Sequence, residues 1–221
     1  MKIGTDAILL GAVDKLIFNG SQCLEIGSGC GIITLMTARK YSGAYYYCLD
    51  IDPMAYKECS ENIITNSLAS KCCALLGDIR TYVPELRQFD VIFSNPPFFT
   101  SGQKPSDQGL LTAKHTHTLA LEELAPHCHR LLKDNGLLYI ILPVAEAGSF
   151  RRNAERHDMY LSEILSVRSF EESPPIREIL TFVKGTERKK ITLKQLTLFR
   201  SRQRNDWSED YRQLLQGFKS F

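Results

Sequence analysis

The feature that most narrows what this chain can fold into is an alternation. From residue 22 to about 142, short β-rich runs at 22–26, 44–50, 71–76, 89–94 and 137–142 are separated by helix-like stretches. Strands that alternate with helices build βαβ units, because a parallel neighbour can be reached only through a crossover. Ile32, Ile33, Leu35 and Met36 give the first crossover an apolar face. Residues 53–67 read as the second, and Pro53 suits its first turn, where a missing N–H costs nothing. After residue 142 the order becomes helix, strand, turn, strand. The runs 160–170 and 176–185 flank the breaker ESPP and predict an antiparallel pair. The expectation is an α/β fold: a mostly parallel seven-stranded sheet with an antiparallel C-terminal hairpin and helices on both faces.

With 221 residues and 43% hydrophobic content, the chain predicts one domain spanning residues 1–221. No run approaches the roughly 18 apolar residues of a membrane span, so a soluble, cytoplasmic protein with no membrane partner is expected. Seven cysteines without a CxxC pair fit a reducing compartment and core packing. HTH at 115–117 and HCH at 127–129 do not complete a tetrahedral zinc set, and no metal is expected. The overall charge of +2 hides an asymmetry: residues 177–221 carry a net +6. The basic segment 186–221 is therefore either a phosphate-binding face or a solvated surface. Nothing in the sequence sets an oligomeric state.

LEIGSGCG, residues 24–31, runs an apolar strand into a glycine turn that opens a helix. Glycines allow a tight turn and close approach to a ligand, and a helix N-terminus offers N–H groups to an anion. The dinucleotide fingerprint GxGxxG would need glycine at 32, where the chain has Ile32, which argues against a nicotinamide dehydrogenase. Gly27, Gly29 and Gly31 instead resemble the GxGxG turn of methyltransferases, preceded by the acidic Glu25. Asp50, near the end of the second strand, is placed to accept both ribose hydroxyls of a nucleoside cofactor. Asp78, in GDIR, is placed to meet an adenine amino group. The competing reading for Asp52 and Asp78 is that each caps the structure following it.

SNPPFF, residues 94–99, follows the fourth strand directly. Paired prolines stiffen the backbone and supply no N–H. The Asn95 side-chain oxygen and the Pro96 carbonyl can then accept both hydrogens of an exocyclic amine, whose lone pair is otherwise delocalised, and aim that lone pair at an electrophilic methyl group. Phe98 offers a flat face for an extruded base.

Taken together, MKIGTDAILLGA, LEIGSGCG, LDIDPMA, GDIR and SNPPFF resemble the tRNA1(Val) (adenine(37)-N6)-methyltransferases, the YfiC-like group of Rossmann-like class I methyltransferases. The most family-specific part is GTDAILLGA, residues 4–12. The resemblance implies S-adenosyl-L-methionine as cofactor, held by Thr5, Asp6, Glu25, Gly27, Gly29, Gly31, Asp50, Asp78 and Asn95. It also implies a tRNA substrate, with Asn95, Pro96 and Phe98 catalytic and Lys114 and His115 contacting RNA. Family members usually begin with a further stretch, so a truncated N-terminus is one expectation, and SRQRND before WSEDY departs from the family's pattern. Guanine-N2 methylation of ribosomal RNA and N5-methylation of a protein glutamine remain open, because all three acceptors are planar NH2 groups on an sp2 carbon. A noncatalytic RNA-binding module on the same fold remains open as well.

Overall fold

The computed structural model describes residues 4–82, 88–97, 119–185 and 190–218. Eight strands form one sheet: β1 (Gln22–Ile26), β2 (Tyr45–Asp50), β3 (Cys72–Leu76), β4 (Phe89–Ser94), β5 (Leu132–Pro143), β6 (Met159–Arg168), β7 (Pro175–Lys184) and β8 (Thr192–Thr197). Their spatial order is β3-β2-β1-β4-β5-β7-β6-β8. Strands β3 to β5 run parallel, β7 lies antiparallel between β5 and β6, and β8 returns parallel to β6. The expected antiparallel hairpin is thus present as β6 and β7. The seven-strand expectation is corrected by β8, which lies inside the segment read as a basic surface stretch. Its period-two signal is masked because it is an edge strand with only Leu196 buried.

The helices are α1 (Thr5–Ala12), α2 (Ile32–Lys40), α3 (Pro53–Thr65), α4 (Leu121–Leu131), α5 (Val144–Glu155) and α6 (Glu209–Leu214). Strand alternation assigns each to a face. Cys23, Val91, Phe93, Tyr139 and Ile141 point to the side covered by α1, α2, α3 and α6. Leu24, Ile92, Leu138, Ile140 and Leu142 point to the side covered by α4 and α5. Both faces are therefore buried, as a parallel sheet requires. No helix among the described residues is long and apolar enough to cross a membrane.

Helix α1 is anchored by Leu9 and Leu10, both essentially inaccessible, each worth about 1.5–3 kcal/mol of burial. Its carboxyl end is closed by a buried lysine. Lys15 Nζ donates to the carbonyls of Leu10 at 2.6 Å and Val13 at 3.0 Å, beneath the rings of Phe93 and Tyr139. A cation there satisfies carbonyls that have no helical partner and meets the negative end of the helix dipole. Burial pulls the Lys15 ammonium down to about 7.

Candidate active site

From β1 the chain builds outward to β2 and β3 on one side and to β4 and β5 on the other. Connections leaving in opposite directions part at the carboxyl ends of β1 and β4, which is where open α/β sheets bind ligands. A cleft of about 1670 Å3 opens there, and Thr5, Asp6, Gly27, Gly29, Asp50, Asp78, Asn95 and Pro96 all line it.

The glycine turn is built from backbone in the left-handed region: φ is +70° at Gly27, +56° at Gly29 and +79° at Gly31. Side chains other than glycine rarely adopt such angles. Gly27 N–H donates to the Leu49 carbonyl at 2.9 Å and Gly31 N–H to that of Ser28 at 2.8 Å. Gly29 N–H donates to Asp50 Oδ2 at 2.7 Å. These donors are thus consumed within the turn, which offers the cleft a bare backbone wall. A Cβ built on Gly27 would meet no heavy atom within 4 Å, so the space it would fill opens onto the cleft.

Asp50 orders its neighbourhood with both oxygens, since Oδ1 also accepts the Asp52 N–H at 3.0 Å. Each carboxylate oxygen keeps a further acceptor site. Asp52 instead caps α3, accepting the Met54 N–H at 2.8 Å, and the carboxylate at 50 is the one bound to the glycine turn. Asp78 is gripped by Arg80, whose Nε and Nη2 donate at 2.8 and 2.6 Å to the same carboxylate oxygen. Those bonds hold the Asp78 carboxyl below its ordinary range. Ile51 and Ile79, next to these two acids, give the pocket apolar walls.

Two expected cofactor contacts lie elsewhere. Glu25 is buried on the α1–α2 face of β1, one residue out of phase with the cleft. Its carboxylate accepts the Thr34 N–H at 3.0 Å, capping the first turn of α2. Burial pushes the Glu25 carboxyl up to about 7, against the lowering by Thr34. Gly31 faces α3: a Cβ there would stand 2.6 Å from Cys59 Sγ, so this glycine serves close packing. Both act on the cleft through the turn they support.

At the end of β4, Ser94 Oγ donates to the Ile26 carbonyl at 3.1 Å and ties the strand to β1. Asn95 and Pro96, half-buried, emerge beside it into the cleft. Phe98, Lys114 and His115 lie outside the described residues. Thr5 and Asp6 overhang the cleft from the first turn of α1, and Asp6 Oδ2 accepts Arg177 Nε at 2.8 Å, joining α1 to β7. Arg177, together with Ile176, Leu198, Phe199 and Trp207, forms the part of the wall that sequence reasoning did not reach. A lone tryptophan and an arginine after a Pro-Pro turn were its only signals. Among the described residues, no group of three or more His, Cys, Asp or Glu side chains is gathered to hold a metal ion.

Solved structures share this architecture. A predicted O-methyltransferase from Agrobacterium tumefaciens superposes with a TM-score of 0.74 at 14% identity, covering 96% of each chain. A chain from Listeria monocytogenes described as a class I S-adenosylmethionine-dependent methyltransferase gives 0.62 at 16% identity, over 89% of this chain and 68% of that one. Strand order, glycine turn and cleft position define the class, a Rossmann-like S-adenosylmethionine-dependent methyltransferase. Within it, residues 2–147 match the family model for the methyltransferase small domain, and the chain belongs to that family. Similar relatives carry the name tRNA1(Val) (adenine(37)-N6)-methyltransferase. The protein from Bacteroides fragilis is 32% identical over 99% of this chain and 90% of its own length. That from Christiangramia forsetii is 30% identical over the same shares.

Proposed function

We propose that this chain transfers a methyl group from S-adenosyl-L-methionine to N6 of an adenine in tRNA, adenosine 37 of tRNA1(Val). The observation that carries the reading is the meeting, in one switch-point cleft, of the Gly27 wall and Asp50 with Asn95 and Pro96, overhung by α1. Relatives 32% and 30% identical over 99% of this chain bear that enzyme's name.

The residues present fit the cofactor. The unfilled Cβ position at Gly27 admits a ligand against the backbone, Asp50 has acceptor capacity for ribose hydroxyls, and Asp78 for an adenine amino group. When bound, S-adenosyl-L-methionine supplies a methyl group made electrophilic by its sulfonium. Asn95 and Pro96 prepare the acceptor. By accepting the two N–H bonds of the exocyclic amine they turn its lone pair out of conjugation and fix its direction, so attack needs little rearrangement. The proton is lost after methylation, when the nitrogen has become acidic, so a strong base in the motif is not needed.

Guanine-N2 and glutamine-N5 acceptors would suit Asn95 and Pro96 equally, whereas the relatives' name and the α1 segment favour the adenine. Incubation with labelled S-adenosyl-L-methionine and separate pools of unmodified tRNA, ribosomal RNA and protein tests the reading. N6-methyladenosine at position 37 of tRNA is expected. Label confined to guanine or to a glutamine overturns it.

A further inference from the structure

The cleft has two halves. Gly27, Asp50 and Asp78 occupy the β1–β3 side, and Asn95 stands at the middle on β4. Beyond it, toward β7 and β8, Phe199 and Trp207 line the wall. Their rings stack at 4.6 Å with planes 25° apart, and a backbone bridge joins the two residues. Tyr211 continues the run behind Trp207 at 4.9 Å, and it is Tyr211, 4% exposed, that is sunk in the core. Phe199 and Trp207, partly buried and packed against that core, also line the cleft. Phe199 in turn meets the Phe170 ring at 5.8 Å, so the two rings close the edge of the core and at the same time form the rim of the cleft.

The chain between the two rings is basic. Arg200 is held by Asp206, while Arg202 and Arg204 stand exposed, Arg202 with its guanidinium 5.8 Å from the Phe170 ring. A stacked aromatic pair beside exposed guanidinium groups has the composition of a single-stranded nucleic-acid seat: rings for a base, cations for its phosphate. Placing an adenine at Asn95 requires extruding it from a stacked loop, which strips the adjoining base of a neighbour. An aromatic wall on the far side of Asn95 from the cofactor half restores that stack.

Resting on the tRNA reading, we propose that Phe199 and Trp207 seat the unpaired nucleotide adjoining the target adenosine, with its phosphate turned to Arg202 and Arg204. This makes Trp207 a specificity-determining residue for a single-stranded context. It also makes the site self-reporting, because Trp207 is the only tryptophan in the chain.

The test titrates the full chain, saturated with S-adenosylhomocysteine, with unmodified tRNA1(Val) and follows tryptophan fluorescence beside an independent filter-binding curve. Quenching that tracks binding is expected, with little change on adding S-adenosylhomocysteine alone. Trp207→Leu should raise KM for tRNA by roughly five- to a hundredfold, the worth of one stacked base, with kcat and cofactor affinity held. Trp207→Phe should keep most of the wild-type KM. A merely structural role would lower thermal stability and cofactor affinity and would not split KM from kcat. Normal methylation of tRNA with unquenched Trp207, or wild-type KM in Trp207→Leu, overturns this inference alone. A tRNA that neither binds nor is methylated overturns the tRNA reading with it. Should Trp207→Leu fail to fold, the wild-type titration decides by itself.

Discussion

Replacing Asp50 by alanine removes three kinds of contact at once, and their sizes can be separated. The Gly29 and Asp52 amides lose acceptors at 2.7 and 3.0 Å. Both lie at the rim of an open cleft where water can take over, so the stability cost is about 0.5–1.5 kcal/mol each. For a chain of this size that corresponds to roughly 2–10 °C in Tm. Cofactor binding loses charge-assisted hydrogen bonds to ribose worth about 1.5–3 kcal/mol, so Kd should rise about ten- to a hundredfold. Asp52→Ala removes only the cap on α3, costing about 1 kcal/mol of stability and leaving Kd within about threefold. Asp50→Asn keeps one acceptor oxygen and should fall between wild type and alanine on both scales. Calorimetric titration with S-adenosylhomocysteine, paired with urea unfolding of each variant, measures the two effects independently. Equal Kd shifts for Asp50→Ala and Asp52→Ala, or an unchanged Kd in Asp50→Ala at reduced stability, would show that Asp50 shapes the turn and does not hold the ligand.

Asn95→Ala should lower kcat by roughly a hundred- to a thousandfold with cofactor affinity preserved, and Asn95→Asp should retain partial activity because it keeps an acceptor oxygen; single-turnover methylation of tRNA is the measurement. Glu25 holds its proton in the folded chain up to about 7 against 4.5 ordinarily, so between those values the unfolded chain binds fewer protons and stability falls as pH rises. Glu25→Gln should flatten that slope, worth up to roughly 3 kcal/mol across the window, in denaturant unfolding from pH 4.5 to 8. Lys15 runs the other way: its ammonium is lowered from 10.5 to about 7, so wild-type stability should rise with pH between those values. Lys15→Met should lose that rise and, having stripped the Leu10 and Val13 carbonyls of their donor, unfold about 1–3 kcal/mol more easily at pH 9, the gap shrinking toward pH 6, where the wild type buries a charge.

The parallel half of the sheet was legible because buried strands announce themselves as short apolar runs between glycine turns and helices. The bounds of β1 and β4 coincide with those runs. Strand β8 was not, since an edge strand with one buried side chain has almost no pattern to read. That Gly27, Asp50 and Asn95 meet at one cleft was legible through local order, each sitting at a strand end where the chain must turn. Glu25 was misplaced for the same local reason: adjacency to a glycine turn does not say which face of the strand a side chain takes, and period two sends it under the turn. Arg177, Phe199 and Trp207 could not be read at all, because their relation to the cleft exists only once β7 and β8 have joined the sheet.

The position of β7 also bears on how the molecule is made. Synthesis delivers β6 before β7, yet β7 lies between β5 and β6. A nascent chain ending at residue 168 therefore has its first five strands in order and a sixth that must wait, leaving the edge of β5 uncovered until residues 175–184 arrive. Long-range pairings of this kind are slow to form and expose strand edges while they wait. The Asp6–Arg177 pair adds a timing mark, since the helix made first acquires its partner on β7 only at that late insertion. On the ribosome, the wall of the cofactor half can assemble early, and the opposite wall closes only when the last fifth of the chain has emerged.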